Sequence, residues 1–332
     1  MANSDILLFS SSPHVKSPKT TKWIMLNVCI ALLPSLIFGI IYFGLKALLL
    51  VAVSVLSAVV SEFIYLFITG KKFDEIVKQF DYSSCVTGLL IGLTIGTNYP
   101  IYAPIFGSAF AIIVVKMLFG GTGKNIVNPA IVGRIFIFIS FQTVITAYLS
   151  PNIASISGKT LDTSATALAG LLGQDGVQIF PNLSNWDLFL GTGLSGCIGE
   201  TCKLAILIGA VYLACVGILN ILYPIIYVIV CGLFTVLLNG FDFAFFLPSI
   251  LSGGLMIGAF FMATDYVTTP NTKIANYIYF FILGLLTAGL RQATHMEVVS
   301  FAILLMNLTV PIIDKFIYHR PFGYYKPKKE AK

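Results

Sequence analysis

Long apolar stretches separated by short polar ones dominate the chain. Most of them approach the roughly 20 residues that an α-helix needs to cross a bilayer. Polar residues, often with Gly or Pro, separate them. The pattern predicts membrane helices near Lys22–Phe43, Lys46–Thr69, Ser84–Gly96, Ile101–Phe119, Pro129–Ala147, Thr201–Leu219, Tyr223–Leu238, Phe246–Met262, Ile274–Leu290 and Thr294–Phe316.

These stretches divide into two groups of five around a polar middle, which predicts an all-α integral membrane protein of about ten transmembrane helices. The third stretch is short for a span, so we expect it to be tilted, broken or re-entrant. The predicted parts are an N-terminal arm (1–21), a first five-helix repeat (22–147), an outer loop (148–200), a second five-helix repeat (201–316) and a basic tail (317–332).

The two groups of five resemble each other at an offset of 166 residues. Gly88-Leu89-Leu90-Ile91-Gly92 then falls on Gly254-Leu255-Met256-Ile257-Gly258, Pro104 on Pro270, and Gly123 on Gly289. Gly and Pro mark backbone breaks, although Gly-x-x-x-Gly also marks close helix packing. An odd number of spans per copy inverts the second copy. We therefore predict two inverted repeats with broken helices, an arrangement that places a site near the middle of the membrane.

Composition agrees with a helical membrane protein. Of the 332 residues, 57% are hydrophobic and only 10% are charged, against about 25% charged in soluble domains. The apolar runs are too long for barrel strands, and no cleavable signal peptide is evident. The six cysteines include no C-x-x-C pair and the three histidines form no cluster, so neither a metal site nor an iron–sulfur site is predicted.

The positive charges predict the orientation rather than a nucleic-acid partner. If both termini are cytoplasmic, fifteen of the 20 Lys and Arg residues fall on that side. Lys46, Lys159, Lys203 and Arg291 fall on the other side, and Arg134 lies inside the fifth stretch. Cytoplasmic loops of membrane proteins are enriched in Lys and Arg. We therefore expect a multi-pass protein of the bacterial inner or cell membrane with loop 148–200 outside.

The segment Gly120–Ala130 is the most specific motif. Its glycines, including Gly123, permit backbone conformations that other residues avoid, and Asn125 and Asn128 offer amide groups to the edge of a flavin-like ring. The spacing is not that of a phosphate-binding Walker loop. The alternative is a tight turn with Asn caps ahead of Pro129 at a helix start.

A second candidate lies in the polar middle. Asp162, Thr163 and Ser164 are good helix N-caps, and 165–172 reads as a short helix. Thr166 would then lie in the first turn, where the unpaired N–H groups and the helix dipole favour a phosphate on its hydroxyl. The alternative is a capped surface helix without chemistry.

Acidic residues in or near the spans are few. Glu62 and Glu297 lie close to helix ends and are interpreted as interfacial or capping residues. Glu200 and Asp265 lie beside Gly- or Thr-rich turns, where they are candidates to cap helices or to hold a flavin ring. An ionisable group at membrane depth is a functional candidate.

Several separated blocks together resemble the NqrB/RnfD family. They are Ser12-Pro13-His14, Gly120–Ala130 with Gly133-Arg134, Ser164-Ala165-Thr166, Gly199-Glu200-Thr201, and Met262-Ala263-Thr264-Asp265. The resemblance covers nearly the whole chain, and its length favours the RnfD branch. Ala167 departs from the pattern, because the family often has Pro after the modified Thr.

The resemblance implies a cofactor set and site residues. Thr166 would carry FMN through a phosphoester bond, and riboflavin would bind without a covalent bond near Asn125 and Asn128. The implied cofactor-binding residues are Asp162, Ser164, Thr166, Gly123, Asn125, Asn128, Arg134, Gly199, Glu200, Thr201, Thr264 and Asp265. No residue is implied as catalytic or as a metal ligand.

The resemblance also implies a function and partners. The chain would be one component of an ion-translocating oxidoreductase that passes electrons between ferredoxin and NAD, coupled to Na⁺ or H⁺ movement. Its partners would be the other membrane and peripheral subunits, an exported flavin transferase and the lipid bilayer, without nucleic acid. The alternatives are an inverted-repeat channel or transporter without a redox cofactor, and a structural membrane anchor.

Overall fold

The described chain is a bundle of helices. The computed structural model describes residues 19–141, 185–191 and 196–317, with the backbone of 148–149 and 163–164. In the first half the helices are α1 (Thr21–Phe43), α2 (Leu45–Ile68), α3 (Phe73–Gln79), α4 (Ser83–Leu93), α5 (Tyr102–Phe110, continued by a π-helical segment, Ala111–Met117) and α6 (Pro129–Ser140). The middle contributes α7 (Asn185–Leu190) and two short antiparallel strands, β1 (Tyr148–Leu149) and β2 (Thr163–Ser164).

The second half is also helical. It contains α8 (Lys203–Val216), α9 (Leu222–Leu238), a 3₁₀ turn (Phe243–Phe245), α10 (Phe246–Leu251), α11 (Leu255–Ile257, continued by a π-helical segment, Gly258–Met262), α12 (Lys273–Thr294) and α13 (Val299–Phe316). Each of the ten predicted stretches therefore contains helix. The predicted all-α class is confirmed, with β1 and β2 as its small exception.

Apolar helices long enough to cross a bilayer confirm a membrane protein. In the described ranges, α1, α2, α12 and α13 have the required length and composition, and a fifth span results if α10 and α11 count as one unit. The remaining apolar helices have 10 to 17 residues, and at about 1.5 Å per residue they are shorter than the bilayer core. A ten-span inverted repeat therefore stays a prediction.

Local sequence explains where the principal helices begin. The Thr20 side chain accepts a hydrogen bond from Trp23 N at α1, and Thr272 does the same for Ala275 N at α12. At α6, Asn128 caps Ala130 N ahead of Pro129, whose fixed φ suits the first helical turn. The capping alternative considered for Asn128 is therefore correct.

Corresponding helices join the two halves. Helix α1, the first of the first half, packs against α8, the first of the second half. In the same way α6, the last helix of the first half, packs against α13, the last of the second. Within the halves, α2 packs on α4 and α9 packs on α12. One continuous apolar core runs through both halves, so any cavity at their junction is walled by residues distant in sequence.

The predicted helix break at Gly88–Gly92 is wrong. Both glycines lie inside the continuous helix α4. A Cβ atom on Gly88 would lie 2.6 Å from Val55 Cα, and one on Gly92 would lie 2.8 Å from Val51 Cα. These glycines let α4 approach the α2 backbone closely, which is the packing role of Gly-x-x-x-Gly.

Replacing Gly88 by leucine should therefore destabilise the protein strongly. The new Cβ would meet backbone atoms of α2, which cannot move without shifting that helix. We expect a loss of about 2 kcal/mol or more, as for overpacked cores, measured as a lower thermal midpoint in detergent. Gly289→Ala in α12 is the control, since no atom lies within 4 Å of its added Cβ. Equal losses in both variants would contradict this packing.

The predicted break in the second half exists, slightly before Gly254. Helices α10 and α11 meet at 67° across Ser252–Gly254, and Gly253 adopts a positive φ of 63°. Other positions matched at the 166-residue offset also differ. Gly123 has a positive φ in a turn whereas Gly289 lies inside α12. The same residue type at matched positions therefore does not fix the backbone conformation, because contacts with neighbouring helices determine it.

Candidate functional site

A cavity opens where the two halves meet, and we call it the inter-half cavity. The first half contributes α1, the start of α4 and the loop 122–130. The second half contributes the end of α8 and the segment Phe260–Val267. Most of its surface is apolar, with a few converging polar groups, which is the usual character of a small-molecule site.

Both main walls of the inter-half cavity follow π-helical segments. The segment Ala111–Met117 carries Lys116 into the first wall, and Gly258–Met262 carries Phe260 and Phe261 into the second. Such segments insert an extra residue per turn and are frequent at functional sites. Here they lead directly into the two loops that sequence reasoning singled out.

One edge of the cavity is charged. Lys116 Nζ donates to Glu62 Oε1 at 2.8 Å and to Ser83 Oγ at 2.6 Å, and Asp81 Oδ1 lies 3.9 Å away. Ser83 Oγ also lies 3.1 Å from Thr122 Oγ1. Burial would raise the pKa of Asp81, but Lys116 and hydrogen bonds from Ser83 and Thr122 hold it below its ordinary value. The sequence interpretation of Glu62 as interfacial is wrong, since Glu62 is buried in this ion pair.

The two asparagines of the loop have different roles. Asn128 uses both ends of its amide, because Oδ1 accepts from Ala130 N and Nδ2 donates to Met262 O at 3.0 Å. It therefore ties the two cavity loops together. Asn125 Oδ1 is buried on the cavity wall and accepts no hydrogen bond from the described residues, so it is the amide suited to a ligand. Gly123 adopts a positive φ of 89° and makes the turn before it.

Thr264 and Asp265 complete the opposite wall. The Thr264 hydroxyl donates to Phe260 O at 2.8 Å, and Asp265 Oδ1 accepts from Val267 N at 3.2 Å. Burial raises the pKa of Asp265, and hydrogen bonds from Val267 and Thr268 reduce the size of that increase. Both residues therefore line the cavity while also shaping their own loop.

A second polar group lies away from the cavity, and we call it the charge cluster. It consists of Arg134, Glu200, Lys203, Arg291 and Glu297. Arg134 Nη2 lies 2.8 Å from Glu200 Oε1, and Arg291 Nη2 lies 3.0 Å from Glu297 Oε2. Arg134 is six residues beyond Asn128 on α6, about 9 Å along the axis. Glu297 Oε1 also accepts a hydrogen bond from Val299 N at 3.4 Å, although the N-cap residue of α13 is Val298.

The cations of the charge cluster cap the broken helix. Arg291 donates to the carbonyl oxygens of Ser249 and Ser252, and Lys203 donates to Gly253 O at 3.1 Å. Free carbonyls at a helix C-terminus attract positive charge. The protein thus supplies that positive charge from its own side chains.

The structure thus separates the predicted site residues into groups. Asn125, Asn128, Thr264 and Asp265 line the inter-half cavity, and Gly123 forms an exposed turn in the loop that carries the two asparagines. Arg134 and Glu200 pair in the charge cluster, while Gly199 N donates to Leu93 O at 2.7 Å and Thr201 follows in the same loop. Asp162, Thr166 and the side chain of Ser164 lie outside the described residues.

Sequence reasoning missed Lys116, Ser83, Lys203 and the pairing of Glu62. The signal was present: a lysine and a glutamate lie inside two different apolar stretches. A charge in an apolar run is costly unless it is paired. Two such residues of opposite sign therefore predict a buried pair, although not which helices bring them together.

Comparisons with known proteins agree with the resemblance. The sequence profile of the NQR2, RnfD, RnfE family matches residues 8–323. A relative from Acetobacterium woodii, the component designated D in a Na(+)-translocating ferredoxin:NAD(+) oxidoreductase complex, is 40% identical, covering 98% of each chain. A relative from Clostridium ljungdahlii, the corresponding component of a proton-translocating ferredoxin:NAD(+) oxidoreductase complex, is 34% identical over 96% of this chain and 97% of its own.

A third relative carries a more general name. It is the component designated D in an ion-translocating oxidoreductase complex of Alcanivorax borkumensis, and it is 32% identical over 96% of this chain and 97% of its own. Family profile and relatives both cover nearly the whole chain, including the cavity loops and the charge cluster. The chain therefore belongs to the NQR2, RnfD, RnfE family.

Proposed function

We propose that this chain is the RnfD-type component of a membrane complex that passes electrons between ferredoxin and NAD and couples the transfer to ion movement. In this role it carries flavin at two places, FMN bonded to Thr166 and riboflavin in the inter-half cavity. The names of the relatives support the complex. They name Na⁺ in one case and protons in the other, so the ion has to be identified by measurement.

The observation that best supports a flavin is the lining of the inter-half cavity. Met25, Phe260 and Phe261 offer apolar surface to a ring face. The unpartnered Asn125 Oδ1 can accept a hydrogen bond, and Lys116 has a third N–H to donate beyond those that reach Glu62 and Ser83. An acceptor and a charged donor suit the imide edge of an isoalloxazine ring, whose N–H lies between two carbonyls. Bound flavin supplies the redox chemistry that side chains lack.

The chain's own residues hold and shield the bound group. Asn128 keeps the loop 122–130 against Met262, so both walls keep their spacing. The apolar wall excludes water, which strengthens every electrostatic interaction inside the cavity. With both termini cytoplasmic, the cavity faces the cytoplasm and Thr166 lies outside, so electrons would cross the membrane within this chain.

The charge distribution supports that orientation more strongly once buried residues are removed. Lys116 is buried, as are Lys203 and Arg291 on the other side. Among the described residues, nine of these charges fall on the cytoplasmic side and three on the other, so removing the buried ones leaves eight against one. The remaining bias is the one expected for cytoplasmic termini.

The test is the flavin content of the purified chain. After denaturation and washing, a covalently bound flavin keeps the protein pellet yellow, and the free flavin in the wash should lack phosphate. Intact mass should show one added FMN residue. A colourless protein from cells with an active flavin transferase would instead favour a transporter or an anchor.

Asn125→Ala should lower the amount of phosphate-free flavin that co-purifies. The variant removes the buried acceptor, and one lost hydrogen bond of about 1 to 1.5 kcal/mol corresponds to roughly tenfold weaker binding. The measurement is flavin per protein after gel filtration. Asn220→Ala, an exposed amide outside the cavity, is the control. Unchanged occupancy in Asn125→Ala would place the flavin elsewhere.

A further inference from the structure

Lys116 is a buried cation on the wall of the inter-half cavity. It lies in the apolar run 111–117, where the π-helical segment directs it into the bundle, and only 2% of its surface is exposed. A lysine is seldom fully buried unless it is paired. Its ammonium group carries three donors, and two of them reach Glu62 and Ser83.

More negative than positive charge surrounds the ammonium group of Lys116. Glu62 and Asp81 both lie within 4.0 Å of its Nζ, so two carboxylates face one ammonium group. Glu62 Oε2 is buried and has no hydrogen-bond partner among the described residues. The pair is therefore not a fully satisfied structural bridge, and the balance of charge at this edge depends on each member.

Lys116 is the charged member of this group that lines the cavity. Ser83, Thr122 and Asn125 line it as well, whereas Phe260 and Phe261 belong to the wall that also carries Thr264 and Asp265. A planar group bound there would direct its polar edge towards Lys116. In so apolar a site, a fixed charge acts with little screening.

We propose that Lys116 and Glu62 together set the redox potential of the group bound in the inter-half cavity. The proposal rests on the proposed function. A flavin held in the cavity would gain negative charge on accepting an electron from a reduced protein donor, which would be oxidised, and no bond in the chain would be made or broken. The Lys116 ammonium group stabilises the reduced form, and the Glu62 carboxylate opposes it. Lys116 faces the bound group directly, whereas Glu62 does not line the cavity, acts through Lys116 and is a positioning residue.

The test uses the full-length chain carrying Thr166→Ala, so that the only flavin is the one without a covalent bond. Lys116→Met should weaken binding of the reduced form relative to the oxidised form by at least tenfold, which lowers a one-electron potential by about 59 mV. Glu62→Gln should shift the potential in the opposite direction. Spectroelectrochemical titration gives the potentials, and Lys72→Met, an exposed lysine, should leave them unchanged.

A structural bridge would behave differently. It predicts that Lys116→Met and Glu62→Gln both lose flavin or stability without opposite shifts in potential, and that result would overturn the proposal. Because Lys116→Met leaves Glu62 buried without its cation, this variant is the most prone to misfold. The double variant removes both charges and should shift the potential less than either single change. If the unmutated chain holds no free flavin, the proposed function fails first, and the two failures are distinguishable.

Discussion

Replacing Thr166 by alanine is expected to remove the covalently attached flavin completely. A phosphoester bond needs the side-chain hydroxyl, and alanine has none. The washed, denatured variant should be colourless, its intact mass should lack the FMN increment, and electron transfer from ferredoxin to NAD by the assembled complex should stop. Phosphate-free flavin should still co-purify, because the inter-half cavity involves other residues.

Thr160→Ala is the matched control, since Thr160 is a hydroxyl residue of the same polar interval. It should retain both the FMN increment and electron transfer. Peptide mass spectrometry of the unmutated chain should locate the adduct on the peptide that contains Thr166. An unmodified Thr166 peptide from cells with an active flavin transferase would refute the attachment site and leave the cavity proposal standing.

Arg134→Met is expected to destabilise the protein by about 3–5 kcal/mol, the usual effect of removing one partner of a buried ion pair. Arg134 and Glu200 have only 11% and 6% of their side-chain surfaces exposed, so the remaining carboxylate would be buried without its partner. The measurement is the free energy of unfolding in detergent. Glu200 escapes the cost by taking up a proton, so the deficit should shrink as the pH is lowered.

Two further variants distinguish the effect of an unpaired buried charge from the effect of replacing a side chain by methionine. Arg134→Met combined with Glu200→Gln removes both charges and should recover part of the lost stability. Lys46→Met removes an exposed charge and should have little effect, since exposed charges contribute about 0–1 kcal/mol. If Arg134→Met unfolds no more easily than Lys46→Met, the ion pair does not stabilise the junction of the two halves.

The sequence by itself determined the class of the protein and the position of its helices. Apolar runs of this length can satisfy their backbone groups in a bilayer only as helices, so α1, α2, α12 and α13 begin and end within a few residues of their predicted limits. It also indicated α6, because Asn followed by Pro is a helix start by local geometry alone. The sequence also identified the loop motifs that line the cavity, because their glycines and amides stand out between long apolar runs.

Only the tertiary structure decided what those motifs do. Gly88 and Gly254 occupy equivalent positions in the sequence, yet α2 packs on the first and charged side chains surround the second. Asn125 and Asn128 are the same residue type three positions apart, but only Asn128 finds partners for both ends of its amide. Glu62 and Lys116 are 54 residues apart, and whether they are interfacial charges or a buried pair depends on how α2 meets the end of α5. Such long-range contacts depend on the shapes of whole helices, which no local pattern of residues specifies.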